Sequence, residues 1–187
     1  MPALLLVFSA SAQDSAPAQM DLNGTWVINE KLSDDSDRQI EKAVRAAGGR
    51  IDNGGKRGRG RYRGGPADQE LYDRMTYDTV LVIRRSDPEF QFSYEQGFTR
   101  VFYSDGRSRV VSASGSDSGD RSDFSFASWD GTRLRVESRP RDGGWASEVY
   151  SLEPGGQQLR VELELKPLTF IAPVKILRVY DRQSGTD

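Results

Sequence analysis

The sequence contains no cysteine and no histidine. Without cysteine there is no disulfide, no thiolate-held zinc or iron–sulfur cluster, and no thiol nucleophile. Without histidine there is no Ser-His-Asp triad, no imidazole base and no His-ligated metal. Any chemistry would fall to carboxylates, lysine, tyrosine, serine or the backbone. A strong charge of one sign is also lacking: 26 basic and 28 acidic residues leave a formal net charge of -2 over 187 residues. No apolar run approaches the ~18 residues of a membrane-spanning helix. What is present is an ordinary hydrophobic content, 36%, in a chain whose length suits one domain with a real core.

Residues 3–10 read ALLLVFSA, and Ala10-Ser11-Ala12 fits an A-x-A cleavage site before Gln13. This is the pattern of a secretory signal peptide over residues 1–12, too short to span a membrane. No Lys or Arg precedes the apolar run, as expected if the signal is truncated at its N-terminus. The expectation is a periplasmic or secreted product, residues 13–187, with no lipid anchor because there is no cysteine to carry one.

From residue 22 the pattern is mainly period two. Strand candidates are Leu22–Asn29, Asp78–Arg85, Glu89–Tyr94, Gly97–Tyr103, Arg107–Ala113, Ser122–Trp129, Thr132–Arg139, Trp145–Leu152, Gln157–Lys166 and Val174–Arg182. Asp105-Gly106 and Asp130-Gly131 are hairpin dipeptides, and Pro154-Gly155-Gly156 marks another tight turn. Tight hairpins make sequence neighbours antiparallel neighbours, and a meander with one apolar face removes its edges by closing. The pattern predicts an all-β fold: an eight-to-ten-stranded antiparallel up-and-down barrel, with an open sandwich as the alternative.

Between the first two strands, Ser36 and Gln39 fit a capping box. Ile40, Ala43, Val44 and Ala47 then recur at helical spacing before Gly48-Gly49. The spacing predicts one helix over 36–47, lying over a mouth of the barrel. Residues 48–66 form a Gly/Arg-rich linker, in which Arg50–Gly65 carries six basic side chains against the single Asp52. Such a segment cannot build a core. Arg59–Gly65 resembles an RGG tract, but for an exported chain nucleic acid is not the expected partner. Residues 54–65 would instead touch an anionic envelope surface weakly and in a salt-dependent way. Asp117, Asp120 and Asp123 lie in a Ser-rich loop without EF-hand spacing, so no metal site is assigned.

Leu22-Asn23-Gly24-Thr25-Trp26 resembles the G-x-W opening of lipocalin and fatty-acid-binding (calycin) barrels. Arg178-Val179-Tyr180 resembles the R-x-Y at the end of fatty-acid-binding proteins. Leu22–Trp26, Leu32–Asp35, Trp129–Glu137, Tyr150–Leu159 and Arg178–Arg182 together resemble a group of exported bacterial proteins over nearly the whole mature chain. The resemblance implies a lipocalin-like fold with a helix between strands one and two; it implies no particular activity.

Arg178 and Tyr180, two apart on the last strand, share one face. Pointing inward, a guanidinium and a phenol are a ready carboxylate receptor, and these two are the candidate ligand-binding residues. The competing reading has Arg178 stacked on Trp26 where first and last strands meet. Phe90, Phe92, Tyr94, Phe98, Phe102, Phe124 and Phe126 either fill the core or line a cavity, core being the default. Asp34-Asp35 precedes the helix, and Glu162 and Glu164 lie on a polar strand face. Neither pair forms a catalytic constellation, and no P-loop, dinucleotide fingerprint or nucleophile elbow is present. The expected function is non-catalytic and cofactor-free. It is binding of a small amphipathic or fatty-acid-like ligand by a monomer or, alternatively, envelope interaction by a filled barrel.

Overall fold

The structure is a computed structural model, and it describes residues 19–46, 79–95, 99–106, 109–110, 124–139, 144–167, 170 and 172–184. The expected signal peptide over 1–12, the expected linker over 48–66, the expected acidic loop over 114–123 and Phe98 lie outside the described residues, as does the predicted last helical residue, Ala47.

Ten strands follow in chain order: β1 (Gly24–Ile28), β2 (Val80–Ser86), β3 (Glu89–Tyr94), β4 (Thr99–Tyr103), β5 (Arg109–Val110), β6 (Phe124–Asp130), β7 (Arg133–Arg139), β8 (Trp145–Leu152), β9 (Gln158–Lys166) and β10 (Val174–Arg182). Among the described residues one helix, α1 (Ser36–Ala46), lies between β1 and β2. The strands form one antiparallel sheet in the order β4-β3-β2-β1-β10-β9-β8-β7-β6-β5, so first and last strands pair and the sheet is a nearly closed barrel. The predicted all-β meander with one helix after strand one is the observed fold.

One expected hairpin is different. Among the described residues β4 and β5 do not pair; they are the two edges of the sheet. Asp105 instead makes an antiparallel bridge to Ser128 of β6, and side chains fill the seam. The Phe90 and Trp129 rings meet edge-on at 5.8 Å, with the Arg85 guanidinium 5.1 Å from the Trp129 ring. The β6–β7 turn also shifts by one residue. Asp130 pairs with Arg133, so the two-residue loop is Gly131-Thr132 with Gly131 at φ +62°, the glycine placement of a type II′ turn.

Alternation sorts β6 to β10 into interior layers. Val174, Leu165, Ala146, Ser138 and Ser125 face one another in register; so do Ile176, Leu163, Glu148, Val136 and Ala127; so do Arg178, Val161, Tyr150, Leu134 and Trp129. This parity places Phe126 outward, at the surface, because its neighbours Ser125 and Ala127 take the inner positions. The expectation of Phe126 in the core is thereby corrected. Glu162 and Glu164 face outward, paired with Arg160 and Lys175.

Both ends of the barrel are fastened by chain from around β1. At one end Leu22 is fully buried, its carbonyl accepts the Trp26 indole N–H at 3.0 Å, and Met20 packs on the core. At the other, the chain leaving β1 follows the edge of β10: Asp34 N–H donates to the Leu177 carbonyl and its carboxylate accepts Leu177 N–H, both at 2.8 Å. α1 begins there. Its cap is Asp35, whose carboxylate accepts the Arg38 N–H at 3.1 Å; the buried Ser36 hydroxyl that the capping box predicts has no hydrogen-bond partner. A carboxylate supplies both an acceptor and a charge favourable to the helix dipole. Ile40 joins the interior apolar cluster whereas outward-facing Val179 does not, so α1 closes the interior rather than lying on the outer wall.

Candidate functional site

The charged groups of the interior are carried by strands, which fix their direction. On β10, Arg178 and Tyr180 take inward positions between Ile176 and the barrel end, at 7% and 3% exposure. The alternation of Val174, Ile176, Arg178 and Tyr180 leaves that face no other orientation. The structure thus brings together the two residues singled out from the sequence, on one inner face.

It does not place Arg178 on Trp26. Trp26 lies directly opposite Arg182 in the β1–β10 ladder, and the Arg182 guanidinium stands 4.1 Å from the Trp26 ring centroid. Arg178 is four residues back, roughly 13 Å along the strand. Arg182 is further held by backbone carbonyls: Nε donates to Gly156 at 2.9 Å, Nη1 to Asn23 at 2.6 Å and Nη2 to Asp21 at 3.3 Å. Its approach needs Gly24, where a Cβ would sit 2.8 Å from Nη1. The G-x-W signature therefore works with Arg182 as a structural clamp, which releases Arg178 from the stacking role.

A second polar group was not legible in the sequence. Arg100 of β4 and Glu148 of β8 face each other across the interior at 5% and 3% exposure. Arg100 Nη1 donates to Glu148 Oε2 at 3.0 Å and Nη2 to Oε1 at 2.8 Å, a two-pronged pair. Nη1 also donates to the Tyr94 hydroxyl at 3.1 Å, and the Tyr150 hydroxyl donates to Glu148 Oε2. Burial disfavours the charged guanidinium, but the Glu148 charge first, then the Tyr94 and Tyr150 phenols and the Glu148 hydrogen bond, outweigh it and raise the Arg100 pKa well above its ordinary value. Burial, with Glu148 and Tyr94, also raises the Tyr150 phenol well above its ordinary value. Around the pair lie rings: Phe92 contacts Phe102 at 5.2 Å and Tyr150 at 5.0 Å, edge-on, and the Arg100 guanidinium lies 4.6 Å from the Phe102 centroid.

The signal that could have found this pair is local. Arg100 stands two residues before Phe102, so a charge shares the face of a large apolar ring. In β8 the sign was hidden, because Trp145, Ser147 and Val149 alternate with Ala146, Glu148 and Tyr150 and either face could be the inner one.

Tyr150 and Arg178 share an interior layer with Val161 between them. Two strand spacings, about 10 Å, separate their backbones. Among the described residues, Tyr94, Arg100, Glu148, Tyr150, Arg178 and Tyr180, together with the hydrogen-bonded Ser125 and Ser138, put polar groups inside the barrel. Among the described residues no group of three or more carboxylates converges as a metal site would.

No protein-family model and no curated protein matches the chain. Solved structures do match. Lipid binding protein 8 of Caenorhabditis elegans superposes with a TM-score of 0.51 at 11% identity, covering 89% of this chain and 100% of that one. A zebrafish ileal bile acid-binding protein complexed with cholic acid gives a TM-score of 0.49 at 13% identity, covering 86% and 98%. The first likeness shows the fold: a barrel of the lipid-binding-protein type, with a helix after strand one.

Proposed function

We propose that the chain is a non-catalytic binder of a small amphipathic ligand with a carboxylate head, acting outside the cytoplasm after removal of residues 1–12. The observation that carries the reading is the inward placement of Arg178 and Tyr180, deeply buried on one face of the closing strand. In this reading Arg178 holds the carboxylate in a fork and Tyr180 adds a hydrogen bond, while Ile176 and Leu163 meet the apolar tail. That the similar barrel of Caenorhabditis elegans is a lipid binding protein supports a hydrophobic ligand here and leaves its identity to experiment. No helix among the described residues is long and apolar enough to cross a membrane.

A second reading has an observation of its own. The rings of Phe92, Phe102 and Tyr150 meet across the interior, which suits a filled barrel whose basic segment 54–65 contacts an anionic envelope surface. Native mass spectrometry of protein purified from its own host separates the two. A stoichiometric lipid adduct is the expected result. A bare mass, together with retention on anionic resin that disappears when residues 54–65 are deleted, favours the envelope module.

A further inference from the structure

We propose that Glu148 is a built-in carboxylate ligand: it fills an anion receptor made by Arg100, Tyr94 and Tyr150 and keeps external carboxylates from that side of the interior. It is thus a specificity-determining residue, leaving Arg178 and Tyr180 to meet a ligand head. That last consequence rests on the function proposed above; the filling of the receptor does not.

The geometry is that of a bound small acid. Both oxygens of Glu148 are gripped by the two terminal nitrogens of Arg100, and a phenol donates to one of them. The receptor spans the barrel: its cation comes from β4, its anion from β8, and Tyr94 from β3. A bound fatty acid would ask the same donors for the same contacts. Stability alone does not account for the pair, because apolar residues of equal volume often serve as well or better in such a place. What the pair adds is discrimination. With Glu148 seated, a second carboxylate at Arg100 meets a like charge and finds the fork occupied.

The test exploits a match of shape. Glu148→Ala removes Cγ, the carboxyl carbon and both oxygens, which together are an acetate ion. The variant should melt below the wild type. Acetate at about 100 mM, against chloride at equal ionic strength, should raise its Tm saturably by about 2–6 °C. Acetamide, the neutral analogue, should not do so. Neither the wild type nor Arg100→Met/Glu148→Ala should respond to acetate. Glu148→Ser, which leaves a hydroxyl near Tyr150, is the second background. If Glu148→Ala is unfolded without additive, the same series is read as recovery of its near-ultraviolet signal. Acetate acting no better than acetamide or chloride in both backgrounds, or stabilising the wild type equally, overturns the proposal. Any acetate taken up at Arg178 acts on the wild type and the variant alike, so the excess response of Glu148→Ala over the wild type is read independently of that site. Conversely, a wild type that binds no fatty acid while Glu148→Ala still answers to acetate removes the proposed function and leaves the receptor standing.

Discussion

The β4–β8 side and the β1–β10 end of the barrel each hold an arginine against an aromatic ring, yet the two do different work. Arg182 lies over Trp26 and donates to three backbone carbonyls. Arg100 lies by Phe102 and grips a side-chain carboxylate. Carbonyls of the chain cannot leave, so Arg182 is a fastening. A carboxylate on a side chain can be removed and replaced, so Arg100 is a receptor with its ligand tethered. The partner's chemistry, more than the depth of burial, distinguishes a structural arginine from a binding one.

The sharpest way to break this comparison is to remove Arg100 alone. Arg100→Met leaves Glu148 buried without its cation and should cost about 3–5 kcal/mol. The Tm should fall by roughly 6–20 °C at about 2–4 °C per kcal/mol. Arg100→Met/Glu148→Leu should recover most of the loss; a double variant as unstable as the single one would mean that packing, not charge pairing, holds this side together. Next comes Arg182→Ala, expected to cost about 1.5–3 kcal/mol. It should shift Trp26 emission in a Trp129→Phe/Trp145→Phe background, the chain having three tryptophans in all. Unchanged stability would deny the clamp.

Gly24→Ala attacks the same clamp from the other strand. Its φ of +142° and the 2.8 Å approach to Arg182 predict a loss of about 1–3 kcal/mol, measured by urea denaturation. The Tyr150 phenol gives a pH signature. Its pKa is raised on folding by burial first and by Glu148 next. The unfolded state therefore releases the proton first as pH rises past the ordinary phenol value of about 10. Stability from this group is full below that pH and falls above it. Tyr150→Phe should make the alkaline decline shallower; an identical decline would place the cause elsewhere. The smallest expected change is at the helix cap, where Asp35→Ala should cost about 1 kcal/mol and Ser36→Ala almost nothing.

The strands were legible wherever one face was polar and the other apolar, as in β9 with Leu159, Val161, Leu163 and Leu165 inside. Arg178 and Tyr180 were legible for the same reason, since Val174 and Ile176 set the parity of β10. Three features were not. Arg182 and Arg178 have the same parity, and only the β1–β10 register decides which of them meets Trp26. Asp35 and Ser36 are adjacent good caps, and the path of the chain along β10 chooses between them. The Arg100–Glu148 pair joins residues 48 positions apart, and a contact at that separation leaves no periodicity to read.

The account turns on Arg178, and titration of a long-chain fatty acid into wild type and Arg178→Ala, with melting curves on the same samples, tests it most directly. The expected result is saturable binding by the wild type, weakened roughly ten- to hundredfold in Arg178→Ala, as loss of a charge-assisted partner worth about 1.5–3 kcal/mol requires. Affinity unchanged in a folded Arg178→Ala, or no binding by the wild type, would contradict the account.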